Sequence, residues 1–298
     1  MAWTRCIGWI LSTLLSLGYC MPALGADAGW RFGVNAPRDG RDAEKWQALG
    51  AYFAAALGQP VQTVGLPTSR IGAELLAGAV GFALVNPATA VDVLEHPGIQ
   101  AIASLKVNGG IYFAGTIIAR RDRRITTLAD IRGKDVLASQ TTSAGGHVFP
   151  LYHLLRNGID PRKDLKSLRH NNKQDEIVLS VLAGRIDVGC VRSGVLESLV
   201  QEGKLKHDEL VVIDERQDEL KLRHTTELYP EWVLLASNRL DAPARERLRR
   251  AALSLKPSMP AAREAGIDGF AEPASLERVK EALRALRLPP FQAPVVKP

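Results

Sequence analysis

Short apolar strands alternate with amphipathic helices along this chain, and the alternation runs once, breaks, and runs again. Nothing else in the sequence limits the fold as much, because a strand that returns to its sheet through a helix must run parallel to the strand before it. In the first run, Arg31 to Asn35 reads as a strand, with Pro37 and Gly40 marking a loop after it. Trp46, Leu49, Phe53, Ala56 and Leu57 then recur at helical spacing until Gly58 and Pro60 stop them. Val61 to Val64 is the next strand, Ile71 to Leu76 a short helix, and Phe82 to Val85 a strand ending at Asn86-Pro87. In the second run Asp135 to Ser139 is a strand, and after a loop of Thr, Ser and Gly a helix is predicted from about Gly146 to Arg156. Ile177, Val178, Val181 and Leu182 share one helix face, and Ile186 to Val191 is nearly continuously apolar, as a parallel strand covered on both faces has to be.

Two such α/β units in one chain of 298 residues fit two lobes, at roughly 100–200 residues per domain. The apolar segments Ile111 to Ala119 and Trp232 to Ala236 read as the two crossings between them. This gives residues 27–119 to the first lobe, 120–226 to the second, and 227–298 to a return into the first, with helices over Ala244 to Leu255 and Ser275 to Leu286.

The N-terminus reads as a secretory signal peptide over residues 1–26: one early charge at Arg5, an apolar stretch from Ile7 to Leu17, then Pro22 and a run of small residues from Ala23. The apolar stretch is short against the roughly 20 residues that a bilayer span needs. Cleavage places the mature protein in the periplasm and removes Cys6 and Cys20, so Cys190 is left without an internal disulfide partner. The formal net charge of +6 is spread without a long basic run or interleaved aromatics, which argues against nucleic acid and favours a small anion.

Particular residues match a family. Thr141-Thr142-Ser143-Ala144-Gly145-Gly146 between strand and helix, Leu182-Ala183-Gly184-Arg185-Ile186-Asp187-Val188-Gly189, and Tyr112-Phe113-Ala114-Gly115 resemble the phosphate/phosphite/phosphonate-type periplasmic substrate-binding proteins of ABC transporters. Val85-Asn86-Pro87, the stretch from Val191 to Glu197, and Thr225 to Trp232 are more similar to the periplasmic sensing domains of tetrathionate-sensor-type histidine kinases. The resemblance implies an α/β, type II periplasmic binding protein fold, in which two lobes close around a ligand.

The candidate site is built on strand ends. Thr142, Ser143, Gly145 and Gly146 open a helix, whose unpaired N–H groups and partial positive charge suit an oxyanion. Ser143 either meets that ligand or only caps the helix. Asn86 follows an apolar strand and either faces the crevice or makes the turn. Arg192 follows another strand and can clamp an oxyanion with two parallel hydrogen bonds. The phosphonate importers tend to carry a carboxylate close by, where this chain has Ser193 and Gly194, and Gln174 stands where they often carry a histidine, so both departures point toward the sensor-like branch. Tyr112 and Tyr229 offer a hydroxyl or a ring face, or pack at the lobe boundary.

No catalytic motif is present: there is no Gly-x-Ser-x-Gly elbow, His-Glu-x-x-His or phosphate-binding Lys loop. His147 and His153, six residues apart, point about 240° apart on a helix and cannot share a metal. No metal, cofactor or nucleic acid is expected. The expected function is capture of a small oxyanion, phosphonate-, phosphite- or sulfur-oxyanion-like, by a monomer that delivers it to an ABC permease. The alternative is an accessory sensor that presents its closed form to a membrane histidine kinase. Mass spectrometry of periplasmic material should find an N-terminus between Ala26 and Gly29, and intact Met1-to-Cys20 sequence in a membrane fraction is the opposite outcome.

Overall fold

The computed structural model describes residues 29–35 and 41–292. The expected signal peptide and the loop expected at Pro37 and Gly40 lie outside them. The first run gives strand β1 (Trp30–Asn35), helix α1 (Gln47–Leu57), β2 (Val61–Leu66), α2 (Thr68–Leu76), β3 (Phe82–Val85), α3 (Pro87–Leu94) and β4 (Gln100–Lys106). After a short strand β5 (Tyr112–Phe113) come β6 (Gly115–Arg120), β7 (Asp135–Ala138), α4 (Phe149–Arg156), β8 (Ser167–His170), α5 (Gln174–Leu182), β9 (Val188–Arg192), α6 (Val195–Gln201) and β10 (Leu210–Val212). The chain then returns through β11 (Tyr229–Pro230) to β12 (Val233–Ala236), α7 (Ala242–Ser254), α8 (Pro260–Ala265), β13 (Gly269–Ala271) and α9 (Glu277–Leu286).

Two sheets result. The six-stranded sheet has the order β13-β4-β12-β3-β1-β2, and the five-stranded sheet the order β10-β6-β9-β7-β8. Within each run the expected parallel pairing is present: β1 lies parallel to β2 and β3, and β7 to β8 and β9. Strands that enter by a crossing do so antiparallel, β12 against β3 and β4, and β6 against β9. Every residue of β3 and β12 is buried, which their unbroken apolar runs require of strands covered on both faces. Phe32 and Phe82 stack at 5.1 Å beneath the edge of Phe53 from α1, and these rings form the centre of the first core.

The crossing itself is a two-stranded antiparallel ribbon, with Tyr112 opposite Pro230 and Phe113 opposite Tyr229. The chain therefore changes sheets at 113–115, not at the expected 119/120, because β6 pairs with β9 and β10 in the second sheet. Its apolar character reflects a buried strand and not an exit from the first lobe. A second correction concerns the tail. α9 packs on α3 from the first unit and on α4 from the second, and its Val279, Ala282, Leu283 and Leu286 join the core around Phe149 and Val148.

Around the ribbon the backbone is tied closely. The Gly115 carbonyl accepts from the N–H groups of Thr225 and Thr226 at 3.0 and 3.1 Å, and the Gly115 N–H donates to Thr226 Oγ1 at 2.9 Å. A side chain does not fit here: a Cβ on Gly115 would lie 2.6 Å from Pro150 Cδ and 2.8 Å from the Gly145 carbonyl oxygen. Overpacking of this kind costs about 1–3 kcal/mol. Gly115→Ala should lower the midpoint of urea unfolding with little change in slope, and an unchanged midpoint would show that the 145–150 turn yields without cost.

Candidate functional site

Parallel strands of one sheet end on the same side, and the segments that leave those ends can meet in one crevice. Here the two lobes bring such ends together around a cavity of about 200 Å3. The first lobe contributes Thr68 and Ser69 at the start of α2 and Asn86 at the start of α3. The second contributes the loop from Ser139 to Gly145 after β7, Gln174 at the start of α5, and Arg192 at the end of β9.

Asn86 caps α3: its Oδ1 accepts from the N–H groups of Ala88 and Thr89 at 3.0 and 3.2 Å, and Pro87 follows at the first helical position. It faces the cavity as well, so its two readings hold together. Ser143 does the same in the other lobe, where its Oγ accepts from the Gly146 N–H at 3.3 Å while the residue lines the cavity. The helix expected from Gly146 begins instead with a π-helical turn over Ala144–Val148 that leads into α4. Such single wide turns occur often at functional sites. Gly145 lets this turn approach the end of β9, since a Cβ on it would lie 2.8 Å from the Phe113 ring and 3.0 Å from Arg192 Cβ. Thr142 Oγ1 is buried and has no hydrogen-bond partner among the described residues. A buried hydroxyl left so is costly, about 1–3 kcal/mol.

The positive charge at the site is shared. Arg192 lines the cavity, but its Nη2 is paired with Glu231, which is almost fully buried, and its guanidinium lies 4.2 Å from the centre of the Phe113 ring. Burial raises the Glu231 carboxyl above its ordinary range, and Arg192 offsets that only in part. The Arg192 N–H donates to Gln174 Oε1 at 2.6 Å, which ties α5 to the end of β9. His147, in the π-helical turn, adds no charge: burial, and then neighbouring His170, push it down to about 3. Cys190 is enclosed within β9, where burial pushes its thiol up to about 12 and leaves it unreactive at neutral pH. Among the described residues there is no cluster of metal-ligating side chains, and no helix is long and apolar enough to cross a membrane.

Four of the residues singled out in the sequence do not line the cavity. Tyr112 is 43% exposed on the outer face of the ribbon. Successive strand residues face opposite ways, so its neighbour Phe113 is the one turned inward. Tyr229 is stacked on Phe149 at 3.7 Å, inside the second core. Ser193 is buried, with its Oγ accepting from the Ala114 N–H at 3.1 Å, so it fastens the crossing. Gly146 lies behind the cavity, where a Cβ would come within 2.6 Å of Ser139 Cβ. Conversely, Thr68 and Ser69 line the cavity without being among the expected site residues. A strand, Pro67 and two hydroxyl residues ahead of an apolar run do announce a helix start, but α2 was expected to begin only at Ile71.

The family profile described as "ABC transporter, phosphonate, periplasmic substrate-binding protein" matches residues 32–277. The tetrathionate sensor histidine kinase TtrS of Salmonella typhimurium is 27% identical over 276 residues, which cover 90% of this chain and 45% of that protein. PhnD1 from Prochlorococcus marinus, solved in complex with methylphosphonate, superposes with a TM-score of 0.71 at 14% identity, over 87% of this chain and 98% of its own. XAC2383 from Xanthomonas citri, bound to ATP, gives a TM-score of 0.71 at 17% identity, over 87% and 96% of the two chains. These likenesses identify the fold as that of type II periplasmic binding proteins. With most of its described length matched by the profile, the chain belongs to the phosphonate substrate-binding proteins of ABC transporters, a periplasmic family that binds solutes and is not enzymatic.

Proposed function

We propose that the protein captures a small oxyanion between its lobes, with Ser143, Thr142, Asn86, Gln174 and Arg192 around it, and delivers it to an ABC permease. The observation that carries this reading is the convergence of helix starts from both lobes on one cavity of about 200 Å3. Backbone N–H groups at such termini present partial positive charge without the desolvation cost of a buried cation. The free hydroxyl of Thr142 supplies one more donor. Loss of Arg5 with the signal peptide lowers the formal net charge from +6 to +5, an excess that still favours an anion. Binding in the cleft joins the lobes, and the closed form is what a permease recognises.

A second reading rests on the likeness to a sensor kinase, of which this chain spans about 45%. In it the same capture step ends at a membrane histidine kinase instead of a permease. Calorimetric titration with methylphosphonate, phosphite, sulfate and tetrathionate separates the ligand classes. Tight binding of tetrathionate alone favours the sensor, and preference for a phosphorus oxyanion favours import.

Site variants test the geometry. A charge-assisted hydrogen bond contributes about 1.5–3 kcal/mol and a neutral one about 0.5–1.5 kcal/mol, so Arg192→Ala should weaken binding roughly tenfold or more and Ser143→Ala severalfold. Glu231→Gln should act the other way: it frees the guanidinium from its buried partner and tightens the anion. A Glu231→Gln variant that binds no better would mean that Arg192 serves only to hold the crossing together.

A further inference from the structure

Beside the anion cavity lies a second, larger compartment of about 530 Å3, within the roughly 300–1,000 Å3 of small-molecule pockets. The two share Asn35, Arg192 and Trp232, so they adjoin along these residues. The walls differ. The larger compartment is faced by the indoles of Trp46 and Trp232 and by Leu105, Val107 and Ile267. Trp46, Leu105 and Ile267 are buried members of the first core, fixed in place by the packing behind them, and Trp232 is packed against that core. Among the described residues the charged groups lining this compartment are Arg192, paired with Glu231, and Lys45, whose ammonium sits 4.9 Å from the centre of the Trp46 ring. Among the described residues no carboxylate lines it.

We infer that the ligand is an organic oxyanion whose uncharged, apolar or aromatic substituent occupies this compartment while its anionic head sits at the helix starts. The inference rests on the oxyanion reading above and narrows it to a substrate class. A bare inorganic anion fills only the smaller cavity and leaves the partly exposed Trp232 and Val107, with the edges of the buried Trp46, Leu105 and Ile267, without an apolar partner in the larger one. An aminoalkyl substituent finds no carboxylate among the described residues that line the compartment. A phenyl or longer alkyl group removes apolar surface from water on both sides and can stack on the indoles. In a hydrophobic pocket a single methylene changes affinity by roughly tenfold or more, so the discrimination expected from a ring is large.

The test is calorimetric titration of the exported protein with methylphosphonate, phenylphosphonate and 2-aminoethylphosphonate, and in parallel with methanesulfonate and benzenesulfonate. The aryl compound of at least one series should bind about tenfold or more tighter than its methyl counterpart, and the aminoethyl compound no tighter than the methyl one. Trp46→Leu should erase most of the aryl advantage while leaving the methyl compound nearly unchanged. Trp46 is buried, so Lys45→Glu, an exposed position, serves as the second variant: it should raise the affinity of the aminoethyl compound relative to the methyl one several-fold. Equal affinity for methyl and aryl compounds, or exclusion of the aryl ones, overturns the assignment of the compartment while oxyanion capture stands. Binding of none of the five overturns both.

Discussion

Everything at the cleft depends on how two passes of backbone are held where the chain changes sheets. The Gly115 carbonyl takes two amide protons from the returning segment, at Thr225 and Thr226, and the Ala114 N–H is fixed by Ser193. Thr225 Oγ1 accepts from the Ile117 N–H and donates to the Ile213 carbonyl, so the start of β6, the end of β10 and the return segment form one network. These are buried backbone groups, and each would be costly to leave unpaired. With these groups paired, the π-helical turn and the end of β9 lie against Phe113, as the close approach of Gly145 to its ring shows. The site inherits its geometry from that knot.

The charge arrangement follows a consistent logic. An anion site in a protein interior needs positive potential, but a buried lone cation is expensive. The second lobe answers with dipoles at helix starts, a histidine kept neutral, and an arginine matched to an enclosed carboxylate. Arg192 and Glu231 stand on segments from opposite sides of the crossing, so the pair belongs to the joint as much as to the cleft. A ligand that draws on the guanidinium competes with Glu231, and the affinity is the surplus left after that competition.

How much of this was legible in the sequence follows from what each residue type needs. Strand ends were legible at Asn86, Thr142, Ser143 and Arg192, because the period of a buried parallel strand shows where it stops and its neighbours share a side, whereas Gln174 was marked only by the family resemblance, since β8 before it carries no apolar run. The aromatic residues were not. Which of Tyr112 and Phe113 turns inward is a one-residue matter of register, set by pairing with β11 that no local pattern encodes. Tyr229 finds Phe149 across 80 positions of sequence, a contact that only the folded crossing creates. The first lobe's share of the cavity at Thr68 was concealed by a helix that begins three residues before its first apolar position. Likewise β6 and α9 carry the apolar pattern of buried elements, and pattern alone does not say which core receives them.

The seat of α9 has a thermodynamic consequence for the molecule as a whole. Its apolar face packs against both α3 and α4, so the last described helix shares its core with elements of both halves. Melting either half strips a wall from that seat and exposes Val279, Ala282, Leu283 and Leu286 to water. The two halves then cannot lose their structure independently without discarding burial that the other still needs. A two-lobed chain that might be supposed to melt in two stages is thereby drawn toward a single cooperative transition, with its C-terminal helix as the coupling element.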